Sequence, residues 1–88
     1  MEQPKVIVIS GNEPGLSNLQ KMVGGSIERQ IGQYDGKECD LIFDEEGKYK
    51  DKPLNLKATE LWIGTDVRYW HDVLVGDVVV LTGKARMT

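Results

Sequence analysis

The apolar positions of this chain fall into short runs, and the spacing within each run separates strand from helix. Lys5 to Ser10 (KVIVIS) is a continuous apolar run rich in β-branched residues, which predicts a buried strand. Gly11 to Gly15 (GNEPG) combines glycine, asparagine and proline and reads as a loop. In LSNLQKMV the apolar residues Leu16, Leu19 and Val23 recur at helical spacing, which predicts a helix over 16–23. Ser17 is the expected N-cap, with Gln20 at capping-box distance. Gly24 and Gly25 then stop the helix, because glycine enters the left-handed region without a Cβ clash. The pair reads first as a C-cap and tight helix-to-strand connection, with a ligand loop as the competing reading. A helix this short must pack on a sheet to persist.

From Ser26 the period changes to two. In SIERQI, Ile27, Arg29 and Ile31 share one strand face and Glu28 and Gln30 the other, so Arg29 must snorkel or pair. Gly32 to Gly36 (GQYDG) is expected to turn. In CDLIF, Cys39, Leu41 and Phe43 take one face and Asp40 and Ile42 the other. Gly47 marks a strand-ending turn, and Pro53 argues against a central strand around it. Leu54, Leu56, Ala58 and Leu61 are expected in the core, with a further short strand within Ala58–Gly64. Val78 to Leu81 belongs to the clearest strand of the second half, Asp77–Leu81, and the terminal KARMT is expected to be only modestly ordered. The pattern predicts an α+β fold: a small mixed or antiparallel sheet with one short helix packed against it. The chain of 88 residues reads as a single compact domain, with its core over about residues 5–83.

Charge changes the picture in one respect. Acidic residues outnumber basic ones 14 to 11 and no long basic stripe exists, so direct DNA binding is not expected. Lys48, Lys50 and Lys52 form a local basic patch that reads as a solvated turn or an anion contact. No signal peptide or membrane span is expected, and the single cysteine excludes an internal disulfide; a cytoplasmic location follows as the expectation.

Candidate chemistry is sparse. GNEPG lacks the lysine and hydroxyl residue of a phosphate-binding loop, and the Gly24–Gly25 pair follows its helix instead of preceding it. His71, Asp66, Asp72 and Cys39 match no metal-ligand spacing, and Cys39 reads as a buried small hydrophobe, not as the partner of His71 in catalysis. No catalytic residue, metal or cofactor is expected. The binding candidates are Gly24, Gly25, Glu28, Asn55, Trp62, Arg68, Tyr69 and Trp70. Glu28 is an exposed acceptor beside the tight connection. Trp62, Tyr69 and Trp70 are costly to expose, and with Arg68 and His71 they have the composition of an interface hot spot.

The order of these segments resembles the family of a domain of unknown function numbered 3846. The resemblance rests on Leu19, Val23, Gly24, Gly25, Ile27 and Glu28. It continues through the turn Asp44, Glu45, Glu46, Gly47 and Lys48, then Pro53 and Asn55, then Val75, Gly76, Val78, Val79 and Val80. Asp44 and Leu56 depart from that pattern, which has asparagine and a basic residue there. The resemblance implies a phage or mobile-element origin and brings no catalytic residues with it. Together these readings lead to the expectation of an accessory protein, not an enzyme, that binds and inhibits a host protein, one of a defence system included. The alternative is a non-enzymatic binder or sponge of a small nucleotide-like ligand, in a pocket joining Gly24, Gly25, Glu28, Asn55, Trp62 and Arg68. The sheet edges leave homo-oligomerisation open.

Overall fold

The strand pattern and a two-residue turn set up the sheet. In the computed structural model, which describes residues 3–63 and 73–87, Asp35 and Gly36 both have positive φ (52° and 76°). This is the geometry of a two-residue hairpin loop whose twist matches that of its strands. It joins β2 (Ile27–Tyr34) to β3 (Lys37–Asp44) in antiparallel register, with Glu28 opposite Phe43 and Tyr34 opposite Lys37. The turn is therefore narrower than the GQYDG segment suggests, and Gly32 to Tyr34 continue the strand.

The apolar runs at either end of the chain complete the sheet. β1 (Val6–Ile9) pairs in parallel with β4 (Val78–Leu81), and β4 pairs antiparallel with β3, giving the order β1-β4-β3-β2. The sheet is mixed. All four β4 residues are buried because β4 is an inner strand covered on both faces.

Each face carries a helix. α1 (Leu16–Val23) lays Leu19 and Val23 over Ile42, Val79 and Leu81. Burying side chains of this size contributes about 1.5–3 kcal/mol each. Its N-cap is Gly15, and Ser17 lies within the helix and makes no capping bond. At the other end Gly24 adopts the left-handed conformation (φ 86°, ψ 24°), as a helix-stopping glycine does. On the opposite face α2 (Leu56–Ile63) packs Ala58, Leu61 and Trp62 against Leu41, Val78 and Val80.

α2 replaces the strand expected within 58–64, so the described residues form two α-helices where one was expected. The cause is Asn55, whose Oδ1 accepts a hydrogen bond from the Ala58 amide at 3.1 Å and caps the helix. Leu54, in an isolated bridge to Val75 ahead of the helix, and Leu56, at its first residue, are both exposed instead of forming core. The C-terminal segment also departs from expectation. A short 3₁₀ turn, Gly83–Ala85, buries Ala85 completely and brings Met87 against the α1-side core. Asp66 to His71, and with them Arg68, Tyr69 and Trp70, lie outside the described residues.

Gly32 sets the distance between α2 and the sheet. A Cβ placed there would lie 2.6 Å from the Leu61 carbonyl oxygen and 2.7 Å from Leu41 Cδ1. A strand glycine at such a point permits close approach of a second backbone. The Gly32→Ala variant should lose about 1–3 kcal/mol through overpacking, read as a lowered midpoint in chemical denaturation. Gly11→Ala, with no neighbour within 4 Å of its Cβ, should unfold near wild type.

Candidate functional site

One row of β3 faces α1, and it reads Asp40, Ile42, Asp44. Ile42 belongs to the core, and the two flanking carboxylates are buried with it. The Asp44 side chain is 1% exposed, so it requires compensating charge. Lys50 Nζ and Lys52 Nζ approach its Oδ2 at 2.7 and 2.8 Å. The Glu46 amide donates to Oδ1 at 2.9 Å. Burial alone would raise the carboxyl pKa, but the lysines and the amide outweigh it and hold it at about 2.

The same two lysines close the end of α1. Lys52 Nζ donates to the Val23 carbonyl at 2.6 Å and Lys50 Nζ to the Gly24 carbonyl at 3.2 Å. These ammonium groups sit where the helix dipole is negative. Gly25 has no room for a side chain: a Cβ would lie 2.7 Å from Lys50 Nζ and 2.9 Å from Asp44 Oδ1. The two glycines thus have different duties, one conformational and one steric. Both of their amides donate to the Gln20 carbonyl. Within the Lys48–Lys50–Lys52 patch, Lys50 and Lys52 bind an internal anion, Asp44.

Asp40, at the other end of the row, fastens the C-terminus. Arg29 Nε and Arg86 Nη2 donate to its Oδ1 at 3.0 and 3.1 Å, and the Met87 amide donates to Oδ2 at 2.7 Å. Burial again pushes this carboxyl up, and the bonds from Arg86, Met87 and Arg29 bring it below the usual range. The Arg29 expected to pair does so.

Anchored by Asp44, the turn over residues 45–51 crosses the end of the hairpin. It is closed by amides of Gly47, Lys50 and Lys52 donating to the carbonyls of Asp44, Glu46 and Gly47. It carries Glu45, Lys48 and Tyr49 to the rim of a cavity of about 370 Å³. β2 and β3 contribute Glu28, Gln30 and Phe43, α2 contributes Trp62, and Val73 to Val75 close the wall. That last wall hangs on Asn55. Its Nδ2 donates to the carbonyls of Lys5 (3.0 Å) and Gly76 (2.9 Å), and its amide to the Leu74 carbonyl (2.8 Å). Thr59 Oγ1 accepts from the Leu74 amide at 2.9 Å.

Of the candidates drawn from sequence, Glu28 and Trp62 line this one cavity. Gly24 and Gly25 sit at the end of α1 against the lysines and are not among its lining residues. Asn55 is buried with its amide group engaged as described, and it shapes the wall from behind. Phe43 and Tyr49 escaped attention as site residues. Phe43 reaches the cavity because the hairpin register sets it opposite Glu28, and the Asp35–Gly36 dipeptide is the signal that would have fixed that register. Tyr49, an aromatic residue between lysines in a polar turn, is 90% exposed.

Cys39 is fully buried, and burial pushes its thiol pKa up, away from a reactive thiolate. Among the described residues, no group of three or more His, Cys, Asp or Glu residues is placed to hold a metal, and no helix is long and apolar enough to cross a membrane.

The profile of the Domain of unknown function (DUF3846) matches residues 1–87 of the chain. The chain belongs to the DUF3846 family. Comparison with curated proteins and with solved structures gave no match. In this DUF3846 protein the matched span takes in the whole arrangement above, from β1 through the Asp40-bound C-terminal segment.

The Asp44 cluster makes a pH signature. Its folded pKa of about 2 lies below the unfolded value near 3.9. The stabilisation is therefore complete above the unfolded value and lost as pH falls through about 4 toward 2; it is worth on the order of 2 kcal/mol. Thermal melts from pH 6 to pH 2 should show Asp44→Asn less stable than wild type at pH 6, with a shallower decline across the acid window. Parallel melting curves for the two proteins would contradict the account.

Proposed function

We propose that this DUF3846 protein is a non-enzymatic accessory factor, of phage or mobile-element origin, that binds and inhibits a host protein through the cavity between β2, β3, the 45–51 turn and α2. The observation that carries this reading is the makeup of that cavity. Phe43, Trp62 and Leu74 form an apolar interior, while Glu28, Glu45 and the protruding Tyr49 border it. An apolar centre with a polar rim and an accessible aromatic anchor is the anatomy of a protein-binding surface. The resemblance noted in the sequence supports the origin, through the order of Val23–Gly24–Gly25, Asp44–Lys48 and Pro53–Asn55. The alternative, a nucleotide-like ligand, finds less in this cavity, because carboxylates on the rim repel phosphate.

The test is affinity capture from bacterial lysate with the wild-type protein and with Tyr49→Ala as bait. Wild type should retain a discrete protein and reduce its activity. Tyr49→Ala, a change at an exposed side chain, should fold normally and retain at least fivefold less. Failure of the folded wild type to hold any specific protein would refute the proposal.

A further inference from the structure

We infer that the cavity is built to receive a cationic side chain, specifically an arginine, projecting from the surface of the protein it binds. The inference rests on the reading of this cavity as a protein-docking site and names the chemistry of the group that enters it.

Lys50 and Lys52 are turned onto Asp44, and Arg29 and Arg86 onto Asp40. At the cavity the balance is reversed. Glu28 and Glu45 are exposed on its rim, and neither forms an ion pair with another described residue. Lys48, which lines the same cavity, is itself engaged. Asp44 also lines the cavity, but its buried carboxylate is neutralised by Lys50 and Lys52 and so does not compete. Among the described residues, two exposed carboxylates therefore border a concave, partly apolar space whose one lining cation, Lys48, is already engaged.

The walls select among cations. Phe43, Tyr49 and Trp62 present aromatic surface around the same volume. Aromatic faces attract cations, and a guanidinium stacks on them while its edge donates to carboxylates. An ammonium is a strongly hydrated point charge and gains less from such a wall. The cavity volume of about 370 Å³ is at the small end of ligand pockets, which suits one side chain better than a whole nucleotide.

The experiment uses the whole protein and three capped tripeptides, Gly-Arg-Gly, Gly-Lys-Gly and Gly-citrulline-Gly, in a ¹H–¹⁵N titration. Citrulline keeps the shape of arginine and removes its charge. The arginine peptide should give saturable shifts at the amides of Glu28, Phe43 and Tyr49 and at the Trp62 indole. The lysine peptide should bind more weakly and citrulline at least fivefold more weakly than arginine. The double variant Glu28→Gln/Glu45→Gln should bind the arginine peptide at least fivefold more weakly while melting as wild type does. Equal binding of citrulline and arginine, shifts confined to another surface, or no saturable shift at tens of millimolar peptide would each overturn the inference. So would tighter binding of AMP than of the arginine peptide at these residues. The two claims fail separately. Lysate capture that succeeds while the arginine peptide fails removes only the cation chemistry. Peptide binding at these residues without capture removes only the host-protein reading.

Discussion

A carboxylate buried at the end of a strand must be matched by positive charge, and much of this molecule follows from how Asp44 meets that demand. Its partners come from the turn that follows it, so the chain has to fold back for Lys50 and Lys52 to reach it. Both lysines have donors to spare, and they spend them on the last carbonyls of α1. One buried charge thereby joins a strand end and the turn that follows it to a helix end more than twenty residues earlier in sequence. The arrangement also imposes a steric condition, since Gly25 must stay bare for the lysine and carboxylate to meet beside it.

Asp40 repeats the principle at the opposite end of the same row, with arginines in place of lysines and the C-terminal backbone in place of the turn. Ile42 sits between the two carboxylates in the α1-side core. The charged groups therefore close the two ends of an apolar layer. The desolvation of a buried carboxylate is costly, and such a group contributes favourably only when each oxygen is bonded. Both oxygens of both aspartates are. This internal use of cations has an outward consequence: among the described residues it leaves the already engaged Lys48 as the one cation lining the aromatic cavity beside Glu28 and Glu45.

The cavity itself is a by-product of two close fits. Gly32 lets α2 approach the hairpin, which brings Trp62 over β3. Asn55 simultaneously caps α2 and ties the 73–75 segment and the residue before β1 to it. The space left between α2, the hairpin and the Asp44-anchored turn is the site proposed to bind a partner. No residue of that site needs to be strained or reactive for such a role; what matters is that rigid elements hold the aromatic and acidic groups around one volume.

Local patterning alone determined β1, α1 with its glycine stop, the alternating faces of β2 and β3, and the final strand. Each is a short-range signal: a β-branched run, a period of about 3.6 or 2, or a residue tolerant of left-handed backbone. The α+β class followed from these. α2 was legible too, in Asn55 as a cap followed by Ala58, Leu61 and Trp62 at helical spacing, but the apolar run ahead of Gly64 favoured a strand. The tertiary structure decided the rest. No local rule states that Lys50 and Lys52 will bind Asp44, that Arg86 will bind Asp40, or that Gly32 will lie under Leu61. Those relations depend on which surfaces meet once the sheet has ordered its strands β1-β4-β3-β2. Glu28 and Trp62 could be nominated from sequence as single residues. Their union with Phe43 and Tyr49 in one cavity required the hairpin register and the buried charge of Asp44, because burial is what obliges a charged side chain to find its partners across the fold.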